Sequence, residues 1–180
     1  FQPPFQEPGS LGTPQPSGAG MVTLPDGDLA VVEQALETDG EIAAIIVEPT
    51  GASWGRAPLE TDFLHGLRDL ADRFSVVLIF DEVKTGFRLS NGGARETYSV
   101  IPHISTYAKS LGNGFPVAAF GGSAEVMDVL GGGSVTHAGT FGANTVSMAA
   151  AKAVLTILDE SPILENLTKR GMRLKNGLDK

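Results

Sequence analysis

Two short apolar runs, separated by an amphipathic stretch, dominate the hydrophobic pattern of the chain. Residues 42–47 and 75–80 show no alternation of apolar and polar positions, which is typical of parallel strands covered on both faces. Between them, apolar residues recur at helical spacing over 61–74 and predict an amphipathic helix. Strand, helix and strand in this order predict a βαβ unit with a right-handed crossover, and therefore an α/β fold with a mostly parallel sheet.

Weaker patterns on both sides of this unit complete the predicted elements. The segment 101–122 reads as a short strand, a turn rich in Gly and Asn, and a second short strand. Asp28, Ser123 and Asn144 are candidate helix N-caps. The remaining predicted elements are helices, over 28–40, 123–130, 144–158 and from Pro162 to the end of the chain.

The two ends of the chain differ from its middle. Residues 1–20 are rich in Pro, Gly, Ser and Gln, and predict an irregular, linker-like segment because they offer little apolar surface to bury. The chain starts at Phe1 instead of Met, and its last predicted helix reaches Lys180 without a terminating residue. We therefore expect the chain to be a fragment of a longer protein.

Composition and charge exclude several classes of function. The chain carries 13 Lys and Arg against 21 Asp and Glu, a formal net charge of −8. Its basic residues form no cluster, so a nucleic-acid partner or a membrane-surface role is not expected. No run approaches the roughly 18 apolar residues of a membrane span, and no secretory leader is visible, which favours the cytoplasm. The chain has no Cys and three scattered His, so we expect no metal site.

Two residues at predicted strand ends are candidates for chemistry. Asp81 directly follows an apolar strand, and Lys109 lies between a strand-like run and a flexible turn. Each also has an ordinary interpretation, since an aspartate after a strand is often a cap and a lysine is usually a surface residue. Together they suit pyridoxal phosphate, which needs a lysine for a Schiff base and a carboxylate for its ring nitrogen. The spacing alone does not decide between these interpretations.

Several motifs in order give a more specific indication. The chain resembles the class-III aminotransferases of fold-type I over roughly 29–175, and within them the glutamate-1-semialdehyde 2,1-aminomutase branch. The motifs that carry the resemblance are IIVEPTG at 45–51, LIFDEVKTGFR at 78–88, the stretch 89–122 with YAKSLGNGFP, and HAGTFGAN at the start of 137–158.

The resemblance implies a cofactor site. It implies a three-layer α/β/α large domain in which Lys109 forms a Schiff base with pyridoxal 5′-phosphate and Asp81 binds the pyridine nitrogen. Val83 is implied to pack against the ring. Thr140 is implied to reach the cofactor phosphate of a neighbouring subunit, which makes a homodimer part of the site.

The resemblance also implies an organisation and an activity. Residues 21–160 correspond to part of the cofactor-binding large domain, and 161–180 to a helix leading toward a small domain outside the chain. The implied activity is transfer of an amino group between a small-molecule amino donor and a carbonyl acceptor, by a transaminase or an aminomutase. The alternative is a truncated, non-catalytic α/β remnant that serves as an interaction module.

Other residues in these motifs have less definite roles. Glu48 and Glu82 match recurring acidic positions, and we expect both to fix loop geometry. His103 stands where the family usually has Asp, and is expected to be a surface or turn residue. Ser53 and Trp54 stand where the aminomutase branch tends to have Asn and Met, so substrate contacts there are expected to differ.

Overall fold

The computed structural model describes residues 20–51, 58–132 and 135–179, which divide into two compact units after Ile42. Residues 1–19 of the expected linker at 1–20 lie outside the described residues, and so do Ser53 and Trp54 with their expected roles.

Within its described residues, 20–42, the first unit contains one helix, α1 (Leu29–Thr38). One carboxylate oxygen of Asp28 accepts hydrogen bonds from the backbone N–H groups of Ala30 at 3.0 Å and Val31 at 3.2 Å. These N–H groups have no partner within the helix, so the aspartate stabilises its first turn. The N-cap predicted at Asp28 is confirmed.

The second unit is built on a four-stranded sheet. The strands lie in the order in which they occur in the chain, namely β1 (Ala44–Val47), β2 (Val77–Asp81), β3 (Ile104–Tyr107) and β4 (Ala119–Gly122). The first three are parallel to one another, and β4 is antiparallel to β3. The predicted α/β class with a mostly parallel sheet is confirmed.

Helices connect and follow these strands. They are α2 (Thr61–Phe74), α3 (Gly93–Thr97), α4 (Ala124–Gly131), α5 (Thr145–Glu160) and α6 (Ile163–Leu178), with a short 3₁₀ turn at Lys109–Leu111. Sequence patterns predicted four of these five helices and missed α3, whose five residues include no periodic apolar face. Among the described residues, no helix is both long enough and apolar enough to cross a bilayer.

The core of this unit forms where α2 packs on β2. Leu64 and Leu67 on the helix are buried, and Leu78 and Phe80 on the strand are fully buried. The apolar run predicted that the strand begins at Ser75, but it begins at Val77. Ser75 instead ends the helix in the left-handed conformation, at φ 56°, with its N–H bonded to the carbonyls of the last turn.

The first strand differs from its prediction. It begins at Ala44 and not at residue 42, and it is not covered on both faces, since Ile46 is 65% exposed. No element within 58–132 or 135–179 covers the face of the sheet on which the Ile46 side chain lies. An apolar run identifies a strand, but it does not identify which residues cover it.

His103 lies in a bend, as expected of a turn residue, but its side chain is only 19% exposed. Its Nδ1 accepts a hydrogen bond of 2.9 Å from the backbone N–H of Leu78. The backbone N–H of His103 donates to the Leu78 carbonyl, also at 2.9 Å. Its Nε2 lies 3.5 Å from a carboxylate oxygen of Asp72 on α2. The expected surface histidine is therefore a structural residue, which extends the pairing of β2 and ties it to α2.

This arrangement favours the neutral imidazole, because Nδ1 must stay unprotonated to accept the Leu78 N–H. Burial lowers the pKa of His103, and the charge of Arg68 lowers it further, while Asp72 and Glu125 oppose the shift. The folded state therefore binds fewer protons at this site than the unfolded chain, so acid destabilises the fold.

We predict that His103→Asn removes part of the pH dependence of stability, since the Asn oxygen replaces Nδ1 as acceptor and does not titrate. In the wild type, this contribution to the free energy of unfolding is complete above the unfolded-state pKa near 6.5 and is lost as pH falls through the lowered folded pKa. Urea unfolding from pH 8 to pH 5 measures it. The wild type should lose stability relative to His103→Asn as the pH falls, and parallel curves would contradict the role given to His103.

Candidate functional site

The pairing of β2 with β3 brings the two candidate residues to one edge of the sheet. Asp81 is the last residue of β2 and lies in register with Thr106 on β3. Lys109 follows the last residue of β3, Tyr107, by two positions. The carboxyl ends of parallel strands are where ligands bind in open α/β sheets. Asp81 and Lys109 therefore lie at neighbouring strand ends on the side where a ligand site is expected.

The Asp81 carboxylate is half-buried and held on one of its two oxygens. Its Oδ1 accepts a hydrogen bond of 3.0 Å from the N–H of Val83, and the Thr106 hydroxyl lies 3.5 Å from the same atom. Within the part of the chain that the structure describes, no donor contacts Oδ2. The carboxylate is thus oriented by its own loop and by β3, and its second oxygen can accept a hydrogen bond from a ligand.

Lys109 combines a constrained backbone with an exposed side chain. It begins the 3₁₀ turn at φ 43°, in the left-handed region that residues with a Cβ seldom adopt. Its carbonyl accepts hydrogen bonds from the N–H of Asn113 at 2.9 Å and of Gly112 at 3.2 Å. No group in the described ranges pairs with its amine. The chain fixes where this side chain starts and leaves its amine available for chemistry.

Glu82 is a fully buried acid next to Asp81. Its carboxylate accepts hydrogen bonds from the N–H of Ala94 at 2.6 Å and of Arg95 at 3.4 Å, where α3 begins. Burial raises the pKa of this carboxyl, and the two backbone hydrogen bonds oppose the rise. These contacts support the expected loop-fixing role of Glu82. Its partners, twelve and thirteen residues away, left no signal in the sequence.

Gly86 joins the loop after Asp81 to the turn that carries Lys109, and sequence reasoning missed it. Its N–H donates to the Glu82 carbonyl at 2.9 Å, and its own carbonyl accepts a hydrogen bond of 2.5 Å from the Ser110 hydroxyl. Beside this contact, the rings of Phe87 and Tyr107 lie 5.3 Å apart. The two loops at the sheet edge are thus linked by polar and aromatic contacts.

Thr140 is not part of this cluster in the single chain. It lies in an exposed turn before α5, whose first turn is capped by the side chain of Asn144. No hydrogen bond joins Thr140 to Asp81 or Lys109 within the described residues. The next residue, Phe141, is 85% exposed. Within the described residues, Thr140 therefore makes no hydrogen bond with this cluster.

The Glu48 side chain fixes the loop after β1. Its Oε1 accepts hydrogen bonds from the hydroxyl of Thr50 at 2.8 Å and from the N–H of the same residue at 3.3 Å. The Glu48 side chain thus accepts a hydrogen bond from the backbone two residues later in the chain. This local turn holds the chain where it leaves the strand. The geometry supports the structural role expected of Glu48.

Comparison with known proteins gives a consistent result. Residues 26–180 match the sequence profile of the family described as Aminotransferase class-III. A curated relative, glutamate-1-semialdehyde 2,1-aminomutase 2 of Brevibacillus brevis, is 41% identical over 173 residues, which are 95% of this chain and 40% of that protein.

Two solved structures are similar in fold and sequence. An omega-transaminase from Sphaerobacter thermophilus superposes with a TM-score of 0.77 at 38% identity, over 84% of this chain and 35% of that chain. The FumI protein of Sphingopyxis sp. MTA144, in its PLP internal aldimine form, gives a TM-score of 0.88 at 27% identity, over 98% of this chain and 43% of that chain. The chain thus spans about 40% of the length of the curated relatives it matches.

We predict that Gly93→Ala destabilises the loop that Glu82 holds. Gly93 has φ +69°, and a Cβ there would collide with the buried Glu82 carboxylate. Gly27 is a matched control, since it has φ +83° with no atom near its Cβ position. Each substitution should lower the free energy of unfolding by about 1–2 kcal/mol through backbone strain. Gly93→Ala should lower it by roughly a further 1–3 kcal/mol through overpacking. Urea unfolding measures both, and equal losses would contradict the Glu82 contact.

Proposed function

The chain belongs to the class-III aminotransferase family, and from this we propose that the protein carrying it transfers amino groups with pyridoxal 5′-phosphate as cofactor. The substrates are a small-molecule amino donor and a carbonyl acceptor. The observation that carries the proposal is the position of Asp81 and Lys109 at adjacent ends of β2 and β3, each with an atom available to a ligand. The PLP in the FumI structure supports the choice of cofactor.

The residues at the sheet edge suit this cofactor chemically. Asp81 offers Oδ2 to the pyridine N–H, while Oδ1 stays bonded to the Val83 backbone. A carboxylate in this position keeps the ring nitrogen protonated. The amine of Lys109 is the nucleophile for the cofactor aldehyde. Val83, half-buried beside Asp81, is the residue we assign to the face of the ring.

The cofactor, when bound, supplies an electron sink for the pair released as the substrate Cα–H bond breaks. The chain's own residues hold and move the proton. Once the substrate amine has displaced it from the cofactor, the Lys109 amine would take this proton from the substrate Cα and return it as a general acid. The carboxylate of Asp81 would supply the counter-charge at the ring nitrogen.

A homodimer is part of the proposal. Thr140 lies in an exposed turn beside the exposed Phe141, and no contact ties it to Asp81 within the described part of the same chain. We assign Thr140 to the cofactor phosphate of a second copy. The cytoplasmic location expected from the sequence stays a prediction.

An experiment distinguishes between the two candidate activities, aminomutase and transaminase. Relatives named as aminomutase and as omega-transaminase are similar in identity, at 41% and 38%. Conversion of glutamate-1-semialdehyde without an added acceptor indicates the aminomutase, and transfer from an ω- or β-amino acid to 2-oxoglutarate indicates the transaminase. Product analysis by mass spectrometry separates the two.

We predict that Lys109→Ala abolishes both the cofactor's lysine-bound absorbance and turnover, because Lys109 is the residue to which we assign the Schiff base. Borohydride reduction followed by peptide mass spectrometry locates the adduct. Lys152→Ala, which removes an exposed lysine on α5, is the control and should leave the adduct intact. A wild-type protein with no adduct would instead favour the non-catalytic α/β module.

We predict that Asp81→Asn separates cofactor binding from rate. The amide can still accept from the Val83 N–H, so the loop keeps its shape, but the counter-charge for the ring nitrogen is lost. We expect the adduct on Lys109 to form and turnover to fall by roughly 10³-fold, since a preorganised charge is removed. Asp69→Asn, on the exposed side of α2, should retain full turnover. Near-normal turnover in Asp81→Asn would remove Asp81 from the mechanism.

A further inference from the structure

The backbone strain at Lys109 requires a cause in the surrounding structure. A residue with a Cβ at φ 43° persists only where its neighbours hold it there. On the C-terminal side, the carbonyl of Lys109 accepts from Asn113, and Leu111 is buried. These contacts are local to the turn, and they do not fix the turn relative to Asp81.

The link to Asp81 runs through Ser110 and Gly86. The Ser110 hydroxyl donates to the Gly86 carbonyl at 2.5 Å, and the Gly86 N–H donates to the Glu82 carbonyl at 2.9 Å. Glu82 is bonded covalently to Asp81. Two hydrogen bonds therefore connect the residue after Lys109 to the residue after Asp81.

The path is rigid at its middle. A Cβ at Gly86 would lie 2.6 Å from Cδ1 of Tyr107 and 2.8 Å from the Glu82 carbonyl oxygen. Such distances are not accessible to a real side chain, so the close approach of the two loops depends on glycine at this position. Glu82 is itself held by its buried carboxylate at the start of α3.

We propose that Ser110 is a positioning residue, whose hydroxyl sets the backbone of Lys109 relative to Asp81 through Gly86. This inference rests on the proposed function, since it assumes that Lys109 carries the cofactor. Ser110 does not touch the cofactor or substrate in this proposal. It acts by holding the lysine backbone in the left-handed conformation from which the side chain starts.

The test compares Ser110→Ala with Ser90→Ala. Ser90 is a matched control, because its hydroxyl also donates to a glycine carbonyl, that of Gly93, at 2.8 Å, in the same part of the fold. Both variants lose a partly buried hydrogen bond to a glycine carbonyl, and Ser90→Ala also loses contacts with the Thr97 hydroxyl, at 3.5 Å, and with Glu96. Three readouts are taken on the protein that carries this chain. They are the dissociation constant of pyridoxal phosphate, the pH midpoint of the bound cofactor's absorbance change, and amide hydrogen exchange over 108–113 without cofactor.

We expect Ser110→Ala to weaken cofactor binding roughly 3- to 10-fold, which corresponds to one lost hydrogen bond. The pH midpoint should differ from that of the wild type, because the lysine meets the ring in a less restricted orientation. The amides of Leu111 and Asn113, bonded to the carbonyls of Ala108 and Lys109, should exchange faster. Ser90→Ala should match the wild type in all three readouts.

The outcomes separate this inference from the proposed function. A wild-type protein without an adduct on Lys109 overturns both. A normal wild-type adduct with unchanged readouts in Ser110→Ala overturns the positioning role alone, and so does an equal change in Ser90→Ala. If Ser110→Ala does not fold, Ser110→Cys replaces it, since a thiol is a weaker donor of similar size. Readouts in Ser110→Cys that equal those of the wild type also overturn the role of Ser110.

Discussion

The parallel register of β2 and β3 is the constraint on which the rest of the site depends. Asp81 pairs with Thr106, so the two strands end together, and the loops that follow them leave the sheet at the same edge. Packing of α2 on β2 holds one strand in place, and His103 extends its pairing with the segment that leads into β3. Because a shift by one residue would turn Asp81 to the other face of the sheet, the register and the chemistry are inseparable.

A buried carboxylate at this edge needs compensation, and the way in which it is compensated shapes the loops. Glu82 has no exposure to water, so each lone pair without a donor would destabilise the fold. The structure supplies the N–H groups of Ala94 and Arg95, which have no partners of their own at the start of α3. Gly93 is required beside them because a Cβ would occupy the space of the carboxylate. These hydrogen bonds join the first residue after β2 to the start of α3, so both ends of the loop between them are held together.

Local patterns predicted most of the elements, and long-range contacts were beyond their reach. The amphipathic period over 61–74 predicted both ends of α2, and the N-cap at Asp28 predicted where α1 begins. The predicted start of β2, at Ser75, was wrong because this residue directly precedes the apolar run. In the structure Ser75 instead forms the C-cap of α2. Asp81 and Lys109 were identifiable as strand-end residues, whereas Thr140 came only from a resemblance to a family. The contacts of His103 with Leu78 could not be predicted, since no periodicity encodes a pair so distant in the chain.

The rigid backbone and free amine of Lys109 suit the role that we propose for it, in which its amine exchanges one partner for another. Its backbone is held in a strained conformation by hydrogen bonds from Gly112 and Asn113 and by the neighbouring Ser110, while its amine meets no group in the described residues. A fixed origin restricts the volume that the amine explores, which lowers the entropy lost when it reaches a reacting atom. An unpaired amine can leave one partner for another without first breaking an ion pair. Rigidity is thus placed in the main chain, and freedom is kept in the atoms that move.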